Sequence, residues 1–226
     1  MNFIIIGLGN FGSSLAIQLT KLGHEVIGLD KRMERVEMYK DEITQTICAD
    51  CTDIHMAKDL PVKDSDAVIV CIGENEGENI MATALMKQLG VKRIISRAVS
   101  VLHETILQAM EIEEIVRPEL DSAERLAQNL DNQNFIDSFE LTRDYTIVKA
   151  EVPHKYAGKT LKELDLRKSF NILVLTTIET KRRRNLLGIK RNIPEVKEVA
   201  HAGTVLKEED VVVVYGHVRD IEKFLE

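Results

Sequence analysis

The sequence predicts an α/β chain with a doubly wound parallel sheet over residues 1–134 and a smaller α+β domain over residues 135–226. Three observations carry this expectation. An apolar strand, Phe3–Ile6, runs directly into Gly7, Gly9 and Gly12 and then into a helical pattern. Five further apolar runs alternate with helical periods as far as Val116. After Pro118 that alternation stops and strand-rich segments take over. Nearly continuous apolar strands separated by helices belong to a parallel sheet covered on both faces.

Taken in order, the strands are Phe3–Ile6, Glu25–Leu29, Thr46–Ala49, Ala67–Ile72, Arg93–Ser96 and Ile115–Val116. The helices between them are Phe11–Leu22, Met33–Tyr39, a short piece near His55–Asp59, Ile80–Leu89 and Leu102–Met110. Six such strands match the dinucleotide-binding, Rossmann-like arrangement, whose ligands lie beyond the carboxyl ends of the strands. Asp30, Asp50, Gly73, Glu74, Arg97 and Glu119 are then site candidates, because each follows a strand.

The G-x-G-x-x-G turn gives each glycine a separate physical task. Gly7 permits the tight turn, Gly9 lets the backbone approach a pyrophosphate, and Gly12 lets helix and strand pack closely. The helix that follows directs unpaired N–H groups and its positive dipole end at the phosphates. Asp30 ends the next strand, 23 positions after Gly7, where a carboxylate accepts hydrogen bonds from both ribose hydroxyls. Glycines serving only a strand-to-helix turn would leave Asp30 unexplained.

Beyond Pro118, Leu120–Leu130 reads as one more amphipathic helix, and the polar stretch DNQNF after it places the domain boundary near residues 131–138. Strand patterns then occupy FELTRDYTIVKAEV, NILVLTTIET and DVVVVYGH, with helical pieces at Leu161–Leu164 and Val218–Leu225. The basic run Lys181–Arg184 is expected in a solvated hairpin loop.

Composition narrows the function classes. A formal charge of −7 argues against nucleic-acid binding and against adhesion to anionic lipid. No apolar run approaches the roughly 20 residues that span a bilayer, so no direct membrane insertion is expected. The N-terminus is a core strand without the flanks of a signal peptide. A cytoplasmic location follows as an expectation. Cys48 and Cys51 have C-x-x-C spacing, but no second pair completes a metal set, and small apolar wall residues are the better reading. The six histidines are scattered and no catalytic triad has recognisable local context. Both points tilt the reading away from an enzyme, the alternative being a small NAD-dependent oxidoreductase.

The ordered series GLGNFG, VIGLD, ICADCTD, VIVCIGENEGENI, IISRA and VRPELD resembles the cytosolic gating subunits of bacterial potassium transporters. These are the KtrA/TrkA type, built from a regulator-of-conductance-of-potassium (RCK) nucleotide domain and a smaller C-terminal RCK domain. AGKTLKELDLRKSFNILVLTTI and GTVLKEEDVVVVYGHVRDIEKF resemble the second of these, so the likeness spans the whole chain. It implies an adenine-nucleotide sensor, ATP/ADP or alternatively NAD(H), that gates a membrane-embedded potassium-transporting subunit. It further implies a homodimer assembling into a ring, commonly an octamer. In some relatives cyclic di-AMP binds between two C-terminal domains.

The resemblance assigns Gly7, Gly9 and Gly12 to the phosphate loop, Asp30 to the ribose and Asp50 to a place beside the adenine. Arg97 would meet the phosphates. Glu119 would belong to the ATP-bound dimer and its divalent ion, Mg2+ or Ca2+. Asn10, Phe11, Lys31, Cys51, Ile72, Gly73 and Glu74 complete the expected ligand contacts. ATP-responsive members often carry arginine where this chain has Asn10, which weakens ATP/ADP discrimination or favours NAD(H). NADP is the least favoured ligand, since Asp30 would repel a 2′-phosphate.

Overall fold

Six parallel strands form the sheet of the first unit: β1 (Asn2–Ile6), β2 (Glu25–Asp30), β3 (Gln45–Cys48), β4 (Ala67–Val70), β5 (Ile94–Arg97) and β6 (Glu114–Val116). The computed structural model describes residues 1–131, 134–184 and 190–226, excepting the side chains of 128, 180–184 and 190–193. Contacts divide the chain into two units, Met1–Asp121 and Ser122–Glu226.

The strand order in the first unit is β3-β2-β1-β4-β5-β6. The chain builds outward from β1 through β2 to β3, then returns to place β4 on the other side of β1. Between β1 and β4 the direction of winding reverses, and a crevice opens beyond the strand ends. The connecting helices are α1 (Asn10–Lys21), α2 (Met33–Tyr39), α3 (Ile54–Lys58), α4 (Glu76–Gln88) and α5 (Val101–Ala109); α6 (Pro118–Asp131) follows β6.

Side chains alternate across each strand, and here both faces are covered. Ile4 and Ile6 join Leu29, Val68 and Val70 against Ala82 and Met86 of α4. Phe3 and Ile5 join Val26 and Ile69 against Ala16 of α1. Each fully buried isoleucine of β1 contributes about 2–3 kcal/mol of transfer free energy. That explains the unbroken apolar run in the sequence.

The second unit carries an antiparallel sheet of β7 (Phe135–Glu140), β8 (Tyr145–Glu151), β9 (Leu173–Arg184), β10 (Lys190–Val199) and β11 (Val211–His217), in the order β10-β9-β11-β8-β7. Short helices α7 (Leu161–Leu164), α8 (Leu166–Phe170) and α9 (Val218–Leu225) accompany it. Val148, Ala150, Val212 and Val214 from the sheet form one core with Leu166, Ile221 and Phe224. Tyr156 stacks on Phe224 with ring centroids 5.1 Å apart.

The structure differs from the sequence expectation in several places. Helix α4 starts at Glu76 rather than Ile80, because Asn75 caps it by accepting from the Glu78 N–H at 3.2 Å. Glu76 and Glu78 in its first turn suit the positive end of the helix dipole. The run Lys181–Arg184, expected in a loop, continues β9, and Arg184 pairs with Lys190 of β10. β10 is an edge strand, the position in which its Pro194 is tolerated. FELTRDYTIVKAEV holds only the last two residues of β7, Phe139 and Glu140, and then all of β8. Of the stretch DNQNF, expected to end the helix, Asp131 is the last residue of α6 and Phe135 the first of β7, while Asn132 and Gln133 lie outside the described residues. Among the described residues no helix is long and apolar enough to cross a membrane.

Candidate functional site

A cleft of about 490 Å³ opens beyond the carboxyl ends of the strands in the first unit, within the usual range for a small-molecule site. Its floor is the glycine turn. Gly7 has φ +95°, a left-handed conformation suited to glycine. Its N–H donates to the Leu29 carbonyl at 2.7 Å. A Cβ on Gly12 would overlap the Gly7 carbonyl oxygen, so helix and turn meet without room for a side chain. Gly9 is open: the nearest atom to a Cβ there is Arg35 Nη1 at 3.5 Å. The Ser13 hydroxyl locks the turn by donating to the Gly9 carbonyl at 2.8 Å. No side chain caps α1 at Gly9, so its first N–H groups lack partners from a cap or from within the helix.

Asp30 ends β2 with its side chain 5% exposed. Its Oδ2 accepts from the Leu8 N–H and its Oδ1 from the Arg32 N–H, both at 2.9 Å. Burial pushes its pKa above the ordinary carboxylate value, opposed by the Leu8 N–H and by Arg35. A buried carboxylate fixed in this way is suited to accepting two vicinal hydroxyls. Around it, Lys31 pairs with Glu78, while Arg32 and Arg35 both pair with Glu74.

On the far side of β1, Arg97 ends β5 with 14% of its side chain exposed. It donates to Glu119 through Nη2 and to the Cys71 carbonyl through Nη1 at 3.4 Å. Its guanidinium carbon lies 5.9 Å from the Phe11 ring centroid. Arg97 Nε is buried with no hydrogen-bond partner. Gly73 allows this placement, since a Cβ there would come 2.5 Å from Arg97 Nη1.

Asn79 of α4 ties the two strand ends together. Its Nδ2 donates to the Ile72 carbonyl at 2.9 Å and to the Arg97 carbonyl at 3.2 Å. Its Oδ1 accepts from Ser96 at 3.0 Å, from Thr83 at 3.3 Å and from His103 Nε2 at 3.2 Å. Burial pushes the His103 pKa down, so the ring is neutral in this network.

Asp50 accepts from the Thr52 N–H at 2.9 Å and the Thr52 hydroxyl at 2.7 Å, which hold its pKa below the ordinary value, the hydroxyl most strongly. Cys51 and Cys71 are buried, and burial pushes each thiol up to about 12. They form wall, not thiolate ligands. Glu119 is bonded to Arg97, and among the described residues no three His, Cys, Asp or Glu side chains converge as a metal set. The residues of one chain do not fit a divalent ion here.

Every expected site residue except Gly12 lines this cleft, and Gly12 packs beneath it. The sequence reading missed Arg35, Thr52, Asn75 and Glu78 in the lining, and Asn79 behind it. Arg35 had a usable signal, since it lies in the first turn of the helix that follows Asp30.

The first unit is a doubly wound domain with a glycine turn and a buried acid at the ends of its strands, and the second is a small antiparallel domain. The TrkA-N domain model matches residues 3–118 and the TrkA-C domain model residues 145–226. The chain belongs to the RCK family of potassium-transport proteins, in its KtrA/TrkA branch. The Ktr system potassium uptake protein C of Bacillus subtilis (strain 168) is 35% identical over 98% of this chain and 95% of its own length. Among solved structures, the GsuK RCK domain is similar at TM-score 0.65 and 16% identity, over 99% of this chain and 47% of that one. The GsuK channel bound to NAD is similar at TM-score 0.62 and 15% identity, over 99% of this chain and 38% of that one. These two likenesses concern the fold.

Proposed function

We propose that this chain is an adenine-nucleotide-sensing regulatory subunit that gates a membrane potassium-uptake transporter. The observation that carries the reading is the cleft itself. The open Gly9 turn, the buried Asp30 and Arg97 surround one volume. The 35% identity to a potassium uptake protein, over nearly the full length of both chains, supplies the physiological context.

In this reading the ligand's adenosine ribose donates to Asp30, and its pyrophosphate lies on the N-terminus of α1 beside Arg97. ATP, ADP or NAD(H) all present that common part. Asn10 carries no charge at the start of α1, so a terminal phosphate finds no cation at that position. A ligand moves the gate only by the free energy with which it prefers one conformation of the assembly. The assembly is a homodimer-based ring, commonly an octamer in the resemblance. Support for pairing comes from α6, where Leu126 and Leu130, one turn apart on one face, are both exposed.

The test is potassium flux through the membrane partner in proteoliposomes, with nucleotide-stripped protein added back and ATP, ADP, NADH or NAD+ supplied in turn. Nucleotide-dependent flux that needs this chain supports the reading. Flux indifferent to all four, or steady hydride transfer with a soluble substrate, contradicts it.

A further inference from the structure

Three ion pairs span the cleft from one side to the other. Lys31, Arg32 and Arg35 come from the end of β2 and the start of α2, while Glu74 and Glu78 come from the segment after β4 and the first turn of α4. β1 and its glycine turn lie between these two sides, since the sheet order runs β2-β1-β4. Lys31 Nζ reaches Glu78 at 2.6 and 2.7 Å. Arg32 Nη2 reaches Glu74 at 3.0 Å and Arg35 Nη2 reaches the same oxygen at 2.6 Å.

Arg35 differs from the other two cations. Its side chain is 25% exposed, against 52% for Lys31 and 42% for Arg32. Its Nη1 stands 3.5 Å from the Cβ position of Gly9 and 3.3 Å from Asp30 Oδ2. The first turn of α1, Asn10–Ser13, contains no charged residue. A phosphate resting on the Gly9 turn therefore meets Arg35 as the cation on the β2 side. The guanidinium is a rigid fork: one arm is committed to Asp30 and the other to Glu74, whose side chain is 67% exposed.

We propose that Arg35 is a phosphate-binding residue of this site, and that Glu74 is the internal anion it gives up when a nucleotide phosphate arrives. The proposal rests on the reading of the cleft as a nucleotide site. The exchange keeps Arg35 paired throughout. Glu74 is already in water on most of its surface, so releasing it costs little desolvation. Phosphate and Glu74 repel each other, so ligand entry unfastens the Arg35 link between the two sides of the cleft.

The experiment is calorimetric titration of the full chain with ADP and, separately, with adenosine, using wild type, Arg35→Gln, Glu74→Gln and the double variant. Loss of one charge-assisted contact makes Arg35→Gln weaken ADP about tenfold and leave adenosine nearly unchanged. Glu74→Gln tightens ADP several-fold, and the double variant matches Arg35→Gln alone. Arg35→Lys keeps the charge and recovers part of the ADP affinity, which separates the contact from a folding defect. ADP binding unchanged in Arg35→Gln, equal loss for ADP and adenosine, or weaker ADP binding in Glu74→Gln each overturns the assignment and leaves the site standing. Wild type that binds neither compound overturns the site, and the proposal with it.

Discussion

Arg97 lies flush against Gly73: a Cβ at position 73 would stand 2.5 Å from its Nη1. The atom in the way is the end of a flexible side chain, so Gly73→Ala folds and displaces Arg97 from Glu119 and from the Phe11 ring. The expected result is ADP affinity lowered about tenfold, from the lost charge-assisted contact, with adenosine affinity retained. Calorimetry with both ligands, beside a thermal melt that shows little change, checks it.

Gly9 and Gly12 separate binding from folding. A Cβ at Gly9 meets nothing closer than 3.5 Å, so Gly9→Asp folds and puts a carboxylate where the pyrophosphate belongs. Nucleotide binding is then lost, roughly a hundredfold or more, on the scale of about 3 kcal/mol for an unpaired, repelled charge. Gly12→Ala drives a Cβ into the Gly7 carbonyl and against Cys71, and lowers the unfolding midpoint. Denaturant unfolding of the two variants side by side would fail this account if Gly12→Ala were as stable as wild type.

Asp30 gives nucleotide binding a pH limb of known sign. Its pKa is raised by burial, so on acidification it takes up a proton at a higher pH than an ordinary aspartate. Ribose hydroxyls need the ionised form, and their bonds to it lower its pKa in the complex. Affinity is therefore flat near neutrality and falls as pH drops through the raised Asp30 value, towards a limit of about tenfold per unit. Asp30→Asn binds more weakly and lacks this limb. A pH profile of ADP affinity that is the same for wild type and variant contradicts the assignment.

His103 predicts how stability depends on pH. Its folded pKa is depressed by burial below the model-peptide value of 6.5, so the unfolded chain binds its proton first. This contribution to stability is intact above pH 6.5 and is lost as pH falls from there towards the folded value, at up to about 1.4 kcal/mol per unit. His103→Gln keeps a donor for Asn79 and removes the titration. Melts at pH 7.5 and 5.5 should show wild type losing more than the variant. Equal losses would place the His103 ring in contact with water.

The parallel sheet was legible because its strands are buried on both faces, which leaves runs such as Phe3–Ile6 apolar without interruption. Gly7, Gly12 and Asp30 were legible because each has one backbone or charge task at a fixed spacing. The start of α4 was hidden by Gly77 and by acidic residues that read as loop, though Asn75 was the cap. β10 was hidden because an edge strand can carry charges and Pro194. Arg35 and Asn79 reach the site from helices, where sequence spacing from the glycine turn says nothing about distance. The bonds that Asn79 makes to Ile72 and Arg97 exist only once β4 and β5 lie side by side.

The most direct test of the central claim is isothermal titration of the nucleotide-stripped full chain with ATP, ADP, NADH and NAD+, with and without Mg2+. Saturable binding of at least one of these, abolished in Gly9→Asp and weakened in Asp30→Asn, is the predicted result. Absence of binding by all four, or binding unaffected by Gly9→Asp, would contradict it.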